Sequence, residues 1–138
     1  MRRALYMFMV CILFSCSDAE LVSMQQINNG AKLYETHCSN CHQADGSGLA
    51  LLIPPLKQSD YLVQNANDLP CIIKKGIQGE ISVNGNLYNQ KMPANEKLSE
   101  KDIMDICLFV LQKFPEKPIL MPADSIEKCL HHCLANSH

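Results

Sequence analysis

Cys38-Ser39-Asn40-Cys41-His42 is the stretch that decides this sequence. It reads C-x-x-C-H, the spacing used for covalent attachment of a c-type haem. Two thiols about one helical turn apart add to the two vinyl groups of one porphyrin, and the adjacent imidazole reaches the iron from the same side. His42 is therefore the candidate proximal ligand, neutral at its bonding nitrogen. A thioredoxin-like redox pair would want a strand before the motif and a helix opening at it, whereas here a helical pattern precedes it. A structural zinc site would want a second matching pair at suitable spacing, and the sequence offers none.

The pattern before the motif predicts a helix over 24–38. Ile27, Ala31 and Tyr34, with Leu33 beside them, fall at spacings of three and four. Gly30 sits inside that helix, at a cost of about 1 kcal/mol against alanine, which points to close approach by another backbone. A second helix is predicted over 99–114. Ser99 is its N-cap, Asp102 takes the capping-box position, and Ile103, Ile106, Cys107, Val110, Leu111 and Phe114 form its buried face. Pro115 and Pro118 end it. Between the two, 59–65 and 68–76 read as shorter helices, the latter entered through Pro70. Asn84-Gly85-Asn86 is turn chemistry that closes a small hairpin joining 80–83 to 87–88.

Composition bounds the function. With 138 residues the chain has a one-domain length, and 47% hydrophobic and 19% charged residues are globular proportions. There is no Trp, and four Tyr and four Phe leave core volume for a prosthetic group to supply. A net charge of −2 and a pI near 6.2 remove the basic footprint of a nucleic-acid binder. Eight cysteines are many for a reducing compartment and call for individual assignment.

The N-terminus reads as a targeting signal. Arg2 and Arg3 precede an eleven-residue apolar run, 4–14, too short to span a bilayer as a helix. Leu13-Phe14-Ser15-Cys16 resembles the lipobox of bacterial lipoproteins, although Phe14 is bulkier than the usual residue at its position. The expected organisation is a lipoprotein signal peptide over 1–15 that takes Cys11 with it, acylation at Cys16, a membrane tether over 16–23, a domain over 24–115 and a cysteine-containing extension over 116–138. Export to the periplasmic side of a bacterial membrane follows. Ordinary signal cleavage with an unmodified Cys16 is the competing outcome.

Gly30-x3-Tyr34-x3-Cys38-x2-Cys41-His42, then Gly46-x-Gly48, Pro54-Pro55-Leu56 and Met92-Pro93, with a final helix carrying Phe109, together resemble a class I cytochrome c over about 24–114. The resemblance implies an all-α fold in which the N- and C-terminal helices cross, at Gly30 against Phe109, around one covalently bound haem c and its iron. It implies that a proline carbonyl, Pro54 or alternatively Pro55, holds the proximal His42, and that Gly46 and Gly48 allow a tight turn after the motif. It places the distal ligand at Met92, in a loop 50 residues past His42, rather than at Met104 inside the last helix or Met121 beyond it. His131, His132 and His138 are rival ligands outside the matched region.

Cys71, Cys107, Cys129 and Cys133 remain, and an oxidising compartment makes disulfides their default. Cys129 and Cys133 share a face of a short helix predicted over 124–136, with parallel Cβ directions, so separate partners suit them better than each other. Cys71 and Cys107 each reaching the tail, or Cys71 with Cys133, are the favoured pairings. Metal binding by Cys129-Leu130-His131-His132-Cys133, or a reactive thiol, are the alternatives. Lys74, Lys75 and Lys91 form a candidate positive patch for an acidic redox partner.

The expected function is single-electron transfer between redox proteins, without catalytic residues. Cys38 and Cys41 hold the porphyrin, and His42 and Met92 saturate the iron. The competing expectations are a haem enzyme or gas sensor with an open or displaceable distal position, and a haem subunit of a larger oxidase or reductase.

Overall fold

The computed structural model describes residues 18–135, with side chains from residue 24 onward. The expected signal peptide with Cys11, the expected lipidation site Cys16, and His138 lie outside the described residues. Among the described residues six helices and one hairpin follow in order: α1 Asp18–His37, α2 Ser39–His42, α3 Asp60–Gln64, α4 Leu69–Lys75, β1 Ile81–Val83, β2 Asn86–Tyr88, α5 Glu100–Lys113 and α6 Ala123–Ala135. No helix among them is long and apolar enough to cross a membrane.

The frame is the crossing of α1 and α5. Gly30 makes it possible: a Cβ built there would run into the carbonyl oxygen of Asp105 and come within 3.0 Å of the Phe109 Cβ. The expected contact between Gly30 and Phe109 is present, with the Asp105 backbone as the closer neighbour. α5 is set by its first turn. Ser99 accepts a hydrogen bond from the Asp102 N–H while Asp102 accepts from the Ser99 N–H, a full capping box. All six residues expected on its inner face are buried. At roughly 1.5–3 kcal/mol for each large side chain taken out of water, that stripe is the main anchor of the helix.

α1 begins earlier than the periodicity suggested. It reaches back to Asp18 through a run without glycine or proline, so 18–23 continue the helix rather than forming a linker. At its other end Tyr34 is buried and closes an aromatic cluster with Phe109 and Phe114, with ring centroids 5.4 and 5.1 Å away. Phe114 in turn lies against Gly46, where a Cβ would come within 2.5 Å of its ring. The last helix of the frame is therefore tied to the loop after the haem motif.

α3 is capped by Ser59, which accepts from the Leu62 N–H at 3.1 Å, and α4 opens with a proline in its first turn. The hairpin pairs Ile81 with Tyr88, Ser82 with Leu87 and Val83 with Asn86 around a turn at Asn84 and Gly85, both at positive φ. That is a two-residue connection of the kind such dihedrals favour. α6 packs on α4 and α5, burying Ile126, Leu130 and Cys133.

Candidate haem site

α1 ends and α2 begins at Cys38. The Cys38 N–H still donates to Tyr34 at 2.8 Å, while the Cys38 carbonyl accepts from Cys41 at 3.1 Å and from His42 at 2.9 Å. Both thiols and the imidazole are thus carried on one helical turn. Gln43 then turns at φ 63°, and the Tyr34 hydroxyl pins its carbonyl at 2.7 Å. That use of Tyr34 was not visible in the sequence.

His42 is held from the far side of the loop. Its Nδ1 donates to the Pro54 carbonyl at 3.1 Å, so of the two adjacent prolines it is Pro54 that reaches the ring. Because a carbonyl only accepts, this bond puts the proton on Nδ1 and leaves Nε2 with its lone pair for a metal. Burial lowers the His42 pKa, partly offset by the bond to Pro54, which keeps the ring neutral as a ligand requires. Gly48 lets the two sides of this loop close together: a Cβ there would meet the Ile53 carbonyl oxygen and the Pro54 backbone, and its φ of 71° suits glycine. Burial, then the charge of Cys41, push the Cys38 thiol up to about 11.

Met92 is fixed by its backbone. It exchanges two hydrogen bonds with Ile77, at 3.0 and 3.1 Å, and Gly76 packs directly beneath that pair with no room for a side chain. Asn95 ties the same loop to the end of α4 through the Ile73 carbonyl at 3.2 Å. The Ile77 partnership is a second feature that sequence reading missed, since an isolated two-residue bridge carries no periodic signal.

His42 and Met92 line one cleft of about 480 Å³, with Cys41, Ile53, Pro54, Ile77, Ile81 and Tyr88 among its other walls. A second cleft of about 470 Å³ adjoins it and shares Pro54, Ile77 and Ile81. Its further walls include Leu56, Leu62, Leu69, Ile72 and Val83, with Tyr61 and Asn65 at the polar margin. A flat apolar macrocycle fits this donor set: the Cys41 thiol and the His42 imidazole on one wall with Cys38 one helical turn away, a thioether on the lining, and aliphatic side chains between. Met104 and Met121 pack on the core outside these clefts, and His131 lies on α6 with Nε2 3.7 Å from Glu100 and from Glu127. Neither His131 nor His132 lines the cleft.

The lysine patch is largely committed elsewhere. Lys74 donates to the carbonyls of Glu96 and Leu98 and Lys75 to that of Cys133, which leaves Lys91 as the lysine on the cleft wall. The four outer cysteines gather where α4, α5 and α6 meet, with Cys71 Sγ donating to the Cys129 carbonyl at 3.7 Å. Among the described residues no group of three or more His, Cys, Asp or Glu is arranged to hold a metal ion.

The family model for cytochrome c matches residues 27–113. Two curated proteins named cytochrome c-552, one from Thermus thermophilus and one from a particular strain of that species, are each 33% identical to the chain over 79 residues, 54% of its length. The chain spans 60% and 53% of the length of those relatives. A match across more than half of the chain, on an all-α frame that carries the attachment motif at its helix junction, assigns the family: the chain belongs to the cytochrome c family, as a class I monohaem member with covalently attached haem c.

Proposed function

We propose that the protein is a single-electron carrier whose haem iron is held by His42 and Met92. Haem supplies the one-electron couple, and the protein supplies everything that makes the couple usable. Cys38 and Cys41 anchor the porphyrin through thioethers. The Pro54 carbonyl fixes the His42 ring and makes it a stronger donor. The Ile77 backbone pair and Gly76 hold the Met92 loop, so that its soft thioether sulfur is available in both oxidation states and raises the potential relative to a second imidazole. Aliphatic walls from Ile53, Ile77, Ile81 and Val83 exclude water.

The observation that carries this reading is that His42 and Met92, 50 residues apart in the chain, line the same cleft and are each fixed by a backbone partner. Among the described residues, the lining contains no second histidine, no arginine and no carboxylate of the kind that would serve oxygen or peroxide chemistry. Redox proteins are the partners, and no catalytic residue is required.

The same reading places the protein on the exported side of a bacterial membrane, tethered through an acylated Cys16. Support comes from Arg2, Arg3, the apolar run 4–14 and the lipobox-like Leu13-Phe14-Ser15-Cys16.

Spectroelectrochemical titration of the haem-loaded protein tests the carrier. One reversible transition with a slope of about 59 mV per decade is expected, and absence of a reversible one-electron step would remove the proposal. Metabolic labelling with a fatty acid tests the anchor, with the label lost in Cys16→Ser.

A further inference from the structure

Four thiols stand apart from the haem cleft, and they are not equally disposed toward one another. Cys71 lies in α4, Cys107 in α5, and Cys129 and Cys133 on successive turns of α6. The turn from Cys71 to Lys75 runs alongside the turn from Cys129 to Cys133: Cys71 Sγ donates to the Cys129 carbonyl at 3.7 Å, and the Lys75 ammonium donates to the Cys133 carbonyl. Side chains on a helix lean toward its N-terminus. The Cys133 side chain therefore leans back toward the Cys129 carbonyl, where the Cys71 thiol already sits, and Cys133 is near enough to act on that thiol. Cys129, whose own side chain leans a further turn away, presents its carbonyl to Cys71 instead.

We propose that Cys71 and Cys133 form a reversible disulfide that locks α6 onto α4. The step is thiol–disulfide exchange with an external disulfide. One thiolate of the pair attacks a sulfur of that disulfide, forming a mixed disulfide and releasing one reduced thiol. The second thiolate attacks the protein sulfur of the mixed disulfide and expels the other reduced thiol. The protein gives up two electrons and two protons, and the external disulfide is reduced to two thiols.

The bond acts on a segment with few other covalent or backbone restraints. α6 follows a connection containing Pro115, Pro118 and Pro122, and its hold on the domain is the burial of Ile126 and Leu130 against the core that includes Ile73 and Cys107. Burial, together with Cys133 as hydrogen-bond partner and neighbouring charge, pushes the Cys71 thiol up to about 12. The folded dithiol is thus mostly protonated at neutral pH and reacts slowly unless the pair is closed as the chain folds or the medium is alkaline. With the bond closed, α6 covers the core permanently. With it open, α6 separates at the lower cost of its non-covalent contacts, the apolar burial and the hydrogen bonds from Cys71 and Lys75 to its carbonyls.

The test uses the full haem-loaded chain, reduced with dithiothreitol, desalted and incubated with oxidised glutathione at mildly alkaline pH until the thiol count is constant. It is then alkylated in denaturant and mapped as peptides. A cross-linked peptide joining Cys71 to Cys133 is expected, absent from Cys71→Ser and from Cys133→Ser. A bridge from Cys71 to Cys129 or Cys107, mixed disulfides alone, or four alkylated thiols overturns the proposal. Proteolysis within 115–122 then compares oxidised with dithiothreitol-reduced wild type, so that no variant need fold. Cleavage about tenfold slower or more in the oxidised protein is expected, and equal rates overturn the lock. Neither readout depends on the iron ligands, so failure here and failure of the electron-carrier reading are separate results.

Discussion

Gly30 of α1 lies directly on the backbone of Asp105 in α5, close enough that a methyl group at residue 30 would occupy the space of the Asp105 carbonyl. The two helices that frame the haem cleft can approach this closely only because residue 30 has no side chain. Beside the contact the Asp105 carboxylate is fully buried. It accepts from Asn29 at 2.7 Å and from Lys101 at 2.5 Å, both through Oδ2.

Gly30→Ala is expected to force α1 and α5 apart. The gain in helix propensity, about 1 kcal/mol, is smaller than the cost of overpacking a rigid backbone contact, at the upper end of about 1–3 kcal/mol, and the net loss should be about 1–2 kcal/mol. Urea denaturation of the haem-loaded variant checks this, with a lower midpoint and an unchanged slope as the expected result.

Pro54→Ala keeps the carbonyl that accepts from His42 but removes the ring that fixes its direction. A weaker bond makes the imidazole a poorer donor and favours the ferrous state. An upward shift of the reduction potential by about 20–60 mV is expected, corresponding to loss of roughly 0.5–1.5 kcal/mol of hydrogen bonding. A downward shift would mean that the bond does not set ligand strength.

The capping box of α5 ties stability to acid. Asp102 has its pKa held below the ordinary 3.8, first by the hydrogen bond from the Ser99 hydroxyl. A depressed carboxyl contributes stability that is complete above its unfolded value and is lost as pH falls through the folded one. Asp102→Asn should therefore be less stable than wild type at neutral pH, with the gap closing below about pH 4. Ser99→Ala should cost about 1 kcal/mol. Thermal unfolding at a series of pH values measures both.

Much of this architecture is legible in the residues, for physical reasons that differ from element to element. The inner face of α5 is periodic and its cap is local, so Ser99, Asp102 and the six buried residues from Ile103 to Phe114 can be read directly. Gly30 announces a crossing because glycine is costly in a helix. The start of α1 is not legible, because the stretch before Met24 carries no apolar stripe and no breaker, and the helix runs on to Asp18. The support of Met92 is equally hidden: Ile77 and Gly76 act through backbone groups, which every residue possesses. Lys74 and Lys75 look like a docking patch in sequence because charge is visible there, whereas the carbonyls they bind appear only once the loop before α5 and the helix α6 have folded against them.

The proposed carrier depends on His42 and Met92 closing the iron from both sides. The most direct measurement is the absorption spectrum of the reduced, haem-loaded protein before and after carbon monoxide, with Met92→Ala beside it. The account predicts an unchanged wild-type spectrum and a shifted spectrum for the variant, whose distal position is open. Ready binding of carbon monoxide by the wild type would contradict it and make ligand chemistry at an open haem the function to pursue.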